Sequence, residues 1–200
     1  MNKEEIAKQI INAFDFMQKL YNESSYLIKE IEGQLGENEH RFQIFKTSGY
    51  AISGRSSNGL EPNNVNFWLL RKFGVAFVSE IDTELKTGQN HTKITDNLKV
   101  IYFRIILNEI KESEPKLIFG VFYDIKKHKD SIKKFENLMG GFEYIDHKLF
   151  EKFPDIDYED GDKSIKGKFE KVNLLDLNTS EDLIDKVINP VIDIYENVNS

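Results

Sequence analysis

Apolar residues recur along the start of the chain with the spacing of one helix face. Ile6, Ile10, Ala13, Met17, Leu20, Ser24, Leu27 and Ile31 follow one another at alternating intervals of four and three, and all but Ser24 are apolar. A second row, Phe14, Tyr21, Ile28 and Leu35, lies beside the first. Such a pattern winds into a broad apolar stripe and predicts a helical segment over 1–36. The segment is one helix, or two broken near Asn22-Glu23-Ser24-Ser25, and ends before Gly33 or Gly36. A stripe this wide either covers the chain's own sheet or zips two subunits together.

Between positions 41 and 176 the pattern changes to short runs rich in β-branched and aromatic residues. Arg41–Thr47, Tyr50–Ser53 and Gly74–Val78 read as strands, while Asn66–Phe73 fits a strand or a short helix. Val100–Leu107 and Leu117–Tyr123 are the best pair, and the polar Lys111-Glu112-Ser113-Glu114-Pro115 between them suits an antiparallel hairpin. A short helix is expected from Asp130 or Ser131 to Met139, and a last strand over Lys168–Leu175. Thr179 and the acids Glu181 and Asp182 then open a helix over 179–197, with Leu183, Val187, Val191 and Tyr195 on its buried side and Pro190 as a kink. Strands framed by helices, without βαβ alternation, predict a single α+β domain with a mostly antiparallel sheet.

At 200 residues with 40% hydrophobic content, the chain can bury a core without a disulfide or metal staple. The absence of cysteine excludes disulfide scaffolds, thiolate metal sites and cysteine nucleophiles. The charged start Met1-Asn2-Lys3-Glu4-Glu5 leads into no signal-like apolar run, so a cytoplasmic protein without membrane association is expected. The formal charge of −7 is uneven: residues 151–200 carry 13 acidic and 6 basic side chains, and the rest balance. Asp155, Asp157, Glu159, Asp160 and Asp162 form an acidic run, and Lys126, Lys127, Lys129, Lys133 and Lys134 form a basic one. Both read as solvated surface, or as patches that meet within one molecule or between two.

Candidate chemistry is sparse. Gly54 and Gly59 have the glycine spacing of a phosphate-binding loop, but Leu60 and Glu61 stand where lysine and a hydroxyl residue are needed. The acidic run misses the EF-hand pattern: counted from Asp155, glycine falls at position seven and Lys166 at twelve. Asp155, Asp157, Asp160 and Asp162 therefore remain only an irregular Ca²⁺ candidate. Glu109-Ile110-Lys111 at the end of a strand, with Asp96 or Asp82 as a second acid, matches the layout of Mg²⁺- or Mn²⁺-dependent nucleases, where carboxylates hold the ion and lysine steadies water. Five acid-x-Lys tripeptides occur where about four are expected from 34 acids and 23 lysines. His40, His91, His128 and His147 are scattered and form no ligand or nucleophile motif.

The leading expectation is a non-catalytic binding module without a cofactor. It would associate with a protein partner or with itself through the apolar helix and the segregated charge, the basic residues 126–134 being the binding patch. The alternative is the metal-dependent nuclease or phosphodiesterase, with nucleic acid as partner.

Overall fold

Runs of β-branched and aromatic residues in the middle of the chain pair into a six-stranded antiparallel sheet among the described residues, seen in a computed structural model that describes residues 2–44, 71–82, 98–108, 114–126, 153–160 and 163–198. The strands are β1 (Phe42–Ile44), β2 (Lys72–Ser79), β3 (Val100–Ile106), β4 (Lys116–Lys126), β5 (Asp155–Asp160) and β6 (Lys163–Asn173). Their order in the sheet is β1-β2-β3-β4-β6-β5, and every neighbouring pair is antiparallel. The expected β3–β4 hairpin is present, with Phe103 opposite Phe119. The expected strand at Gly74–Val78 lies within β2, and the expected last strand begins five residues earlier, at Lys163.

Among the described residues, helical segments at both ends of the chain frame the sheet. α1 (Lys3–Glu37) is a single uninterrupted helix, so the break considered near Asn22–Ser25 does not occur. Its start is fixed by a reciprocal capping box: the Asn2 side chain accepts from the Glu5 N–H, and the Glu5 carboxylate accepts from the Asn2 N–H. At the other end of the chain lie α2 (Ser180–Leu183), a π turn (Ile184–Ile188) and α3 (Asn189–Asn197). The π turn is how the helix meets Pro190, which has no N–H to donate. The Asn189 N–H reaches back five residues to the Ile184 carbonyl, and the helix continues with Pro190 in its first turn. Leu183, Val187, Val191 and Tyr195 are all buried, as their spacing predicted.

The sheet is buried on both faces along its central strands. On one face Val75, Phe77, Ile101, Phe103, Ile105, Leu117, Phe119 and Val121 pack with Ile28, Ile31 and Leu35 of α1 and with the C-terminal helix. On the other face Ala76, Val78, Val100, Tyr102, Ile118, Phe122, Ile156, Ile165 and Phe169 form a second core. Arg104 is buried on that second face, opposite Gly74 on one side and Ile118 on the other. Glycines make room for rings there: a Cβ on Gly120 would lie 2.1 Å from the Lys168 carbonyl oxygen and 2.7 Å from the Phe169 Cα. Phe169 in turn meets Phe122 edge to face at 4.7 Å. The remaining sequence expectations, strands over 45–53, a loop over 54–64, the ambiguous run at 66–70 and a helix over 130–139, lie outside the described residues. Among the described residues no helix is long and apolar enough to cross a membrane.

Gly120→Ala drives a methyl group into backbone that cannot give way, and urea denaturation is expected to show a loss of about 1–3 kcal/mol. A second prediction concerns the C-terminal helix cap, where Asp182 accepts from Lys186 Nζ at 2.5 Å and from the Asn178 N–H at 3.1 Å. The lysine, and then the backbone N–H, hold its carboxyl below the ordinary value of 3.8. The folded state thus binds this proton less readily than the unfolded chain, so the contribution is present above the ordinary value and lost as pH falls through the folded one. Asp182→Asn should lose less stability than the parent chain on acidification below about pH 4, measured by thermal melts across the acid range.

Candidate functional site

Among the described residues, a cluster of chemically capable side chains sits where the chain leaves α1. Asn38 closes that helix with extended backbone, its side chain accepts the His40 N–H at 3.0 Å, and its carbonyl accepts the Arg41 N–H at 2.8 Å. Arg41 takes a left-handed conformation, φ 49°, that turns the chain into β1 within three residues. The turn presents the His40 carbonyl to the buried Ser79 hydroxyl, which donates to it at 3.0 Å. The same hydroxyl oxygen accepts the Asp82 N–H at 3.0 Å and so fixes the turn that follows β2.

From this frame the side chains converge. The Tyr195 hydroxyl, on α3, donates to Asp82 Oδ2 at 2.5 Å. Burial, and then this hydrogen bond to a carboxylate, push the Tyr195 phenol far above its ordinary value of 10.0, so it stays protonated and keeps donating. The His40 ring stands 3.8 Å from Asp82 Oδ2 through Nδ1 and 3.6 Å from Glu196 Oε1 through Nε2. It packs against Tyr195 and Phe42, with centroid separations of 5.3 and 5.5 Å. Lys99, just before β3, donates to the Tyr195 carbonyl at 2.9 Å and lies 5.1 Å from the centre of its ring. Ligand-capable atoms of Glu39, His40 and Glu196 all lie within 4.8 Å of one another.

One residue expected from the sequence belongs to this cluster: Asp82, weighed there as a metal-binding acid. It follows β2 at the end of the sheet where β3 begins, whereas β3 ends beside Lys72 at the opposite end. Asp96, Glu109 and Lys111 lie outside the described residues, as do Lys127, Lys129, Lys133 and Lys134; Lys126 closes β4. The sequence reading missed His40, taken as a scattered surface residue, together with Glu39 and Glu196. No local signal could have found them, because 39–40, 82 and 195–196 share no motif and meet only through the fold.

The acidic run, read from the sequence as solvated surface or an irregular Ca²⁺ candidate, lies from Asp155 to Asp160 in an edge strand. Asp155, Asp157 and Asp160 fall in β5, opposite Lys168, Lys166 and Lys163 of β6, while Asp162 lies outside the described residues. Lys166 also reaches Asp124 Oδ2 at 2.8 Å, and that hydrogen bond and charge, with a smaller part from Asp157, hold its ammonium above the ordinary lysine value. The negative run therefore faces cations of its own chain, and a charged edge discourages pairing with foreign strands. Alternate acids on one face of a strand stand about 7 Å apart, a wide spacing for ligands of a single ion.

Comparison of the chain with protein-family models, with curated proteins and with solved structures finds no match.

Removing the Tyr195 hydroxyl is expected to loosen the cluster without emptying the core. Tyr195→Phe should cost about 1.5–3 kcal/mol in urea denaturation, the range for a hydrogen bond to a charged group. In a double-mutant cycle with Asp82→Asn, the two changes should not add.

Proposed function

We propose that this chain is a non-catalytic association module that joins a second copy of itself through the N-terminal half of α1. One observation carries the reading: the apolar stripe of α1 is only half used by the chain's own core. Its C-terminal half buries Ser24, Ile28, Ile31 and Leu35, with the Ser24 hydroxyl satisfied by the Leu20 carbonyl at 2.8 Å. Its N-terminal half continues the stripe but leaves Ile10 53% and Phe14 73% exposed, with Ile6 also in the open, while Ile11 and Phe16 stand exposed on its two flanks.

These five side chains present about 500 Å² of apolar surface, near the upper end for the largest patch on a monomeric protein. Spread along about 15 Å of helix, and with their polar flanks, they supply much of the roughly 800 Å² per partner that a stable interface buries. Charge adds no barrier between copies, since Lys3, Lys8 and Lys19 balance Glu4, Glu5 and Asp15 on the same segment. Heptad spacing with large apolar residues beside the seam is the pattern by which helices pack on one another. The acids of β5, facing the lysines of β6, contribute to the sheet edge and are not needed for this docking.

Sedimentation of the full chain at tens of micromolar is expected to show a dimer or a larger closed assembly. The double substitution Ile10→Glu with Phe14→Glu, at positions outside the monomer core, should leave a monomer with unchanged far-ultraviolet circular dichroism. A parent chain that stays monomeric throughout, or a variant that associates as before, would refute the reading.

A further inference from the structure

We infer that Glu39, His40 and Glu196 form a binding site for a divalent first-row transition ion, Zn²⁺ being the ion of choice, with Asp82 as the carboxylate that orients the histidine. The site is separate from the association surface and does not depend on it.

The donor set is the first argument. One imidazole nitrogen and two carboxylates, from the α1–β1 turn and from α3, bring their ligand atoms within 4.8 Å of one another. Zinc binds imidazole nitrogen at about 2.0–2.1 Å and carboxylate oxygen at about 2.0–2.2 Å. Two ligands of a tetrahedral ion at those distances are therefore about 3.4 Å apart. His40 Nε2 and Glu196 Oε1 are separated by 3.6 Å, longer than a hydrogen bond and close to that tetrahedral edge.

Orientation of the ring is the second argument. Coordination through Nε2 requires the proton on Nδ1, and that nitrogen lies 3.8 Å from Asp82 Oδ2, an ion-pair distance longer than a hydrogen bond. A carboxylate behind a histidine is the usual second partner in zinc sites, where it fixes the tautomer and raises the basicity of the ligand. Asp82 is itself held by the Tyr195 hydroxyl and, through its N–H, by Ser79. The ring also packs against the touching pair Phe42 and Tyr195, whose own centroids are 4.9 Å apart. The histidine is thus held by packing against an aromatic pair, whereas Glu39 and Glu196 are exposed and can close on an ion.

Selectivity follows from the nitrogen donor. Imidazole suits Zn²⁺ and its neighbours, whereas Ca²⁺ and Mg²⁺ favour all-oxygen shells. Three protein ligands leave a fourth tetrahedral position for water. A bound ion would tie the turn after α1 to the last helix, across the cluster already linked by Tyr195 and Asp82.

The test is calorimetric titration of the untagged, EDTA-stripped full chain with Zn²⁺, and separately with Mg²⁺ and Ca²⁺. Expected are one Zn²⁺ per chain with a Kd of about 10 μM or tighter, a raised Tm, and no saturable response to Mg²⁺ or Ca²⁺. Both His40→Ala and the surface substitution Glu196→Gln should weaken binding at least tenfold, and Asp82→Asn by about 10–100-fold. Glu196→Gln keeps the test informative if His40→Ala does not fold. Absence of saturable Zn²⁺ binding, or equal affinity in the parent chain and Glu196→Gln, would overturn the assignment.

Discussion

The contact between the Tyr195 hydroxyl and the Asp82 carboxylate joins residues 113 positions apart and ties the C-terminal helix to the turn after β2. Around it the turn after α1, the end of β2, the start of β3 and the C-terminal helix each supply one partner: His40, Ser79, Lys99 and Tyr195. The phenol is buried, so its proton can be satisfied only by a fixed acceptor, and Asp82 is fixed in turn by the Ser79 hydroxyl. On the helical face, apolar packing continues from this anchorage. With Tyr195 held, Val191, Val187 and Leu183 fall in line over the sheet.

Burial of the sheet on two faces imposes a second constraint. Central strands carry apolar residues at nearly every position, and the alternation that marks a half-solvated sheet appears only toward the β6–β5 edge. There Ile156, Ile165 and Phe169 turn inward, while Asp155, Asp157, Lys166 and Lys168 turn outward and oppose one another across the strands. A long run of like charge that looks like a ligand or partner site in one dimension becomes a cross-strand charge ladder in three. Tight backbone approaches at Gly120 and Gly167 let Phe169 and Phe122 fill the second core at this same edge.

α1 spans both concerns of the molecule. Its capped, uninterrupted length carries one continuous stripe, of which the last turns serve the core and the first turns project apolar side chains into the open. A helix whose only task was to cover the sheet would have polar residues at Ile10, Phe14 and Phe16. The proposed association surface and the proposed ion site thus lie toward opposite ends of one helix. The two proposals are independent for that reason.

Periodicity by itself determined the α+β class, the β3–β4 hairpin, the N-terminal helix and the buried row Leu183, Val187, Val191 and Tyr195. Each of these rests on short-range repetition that the backbone must honour wherever the segment ends up. The composition likewise excluded thiolate chemistry outright. Tertiary structure alone decided the strand order, which half of the α1 stripe is covered, and that the acidic run is a strand facing lysines. It alone assembled Glu39, His40, Asp82 and Glu196, because convergence of residues from distant segments depends on how the helices and strands are stacked. Pro190 shows the same division: its missing N–H was legible as a disturbance of the helix, but whether the chain would bend or absorb it in a π turn depended on the neighbours that hold the helix against the sheet.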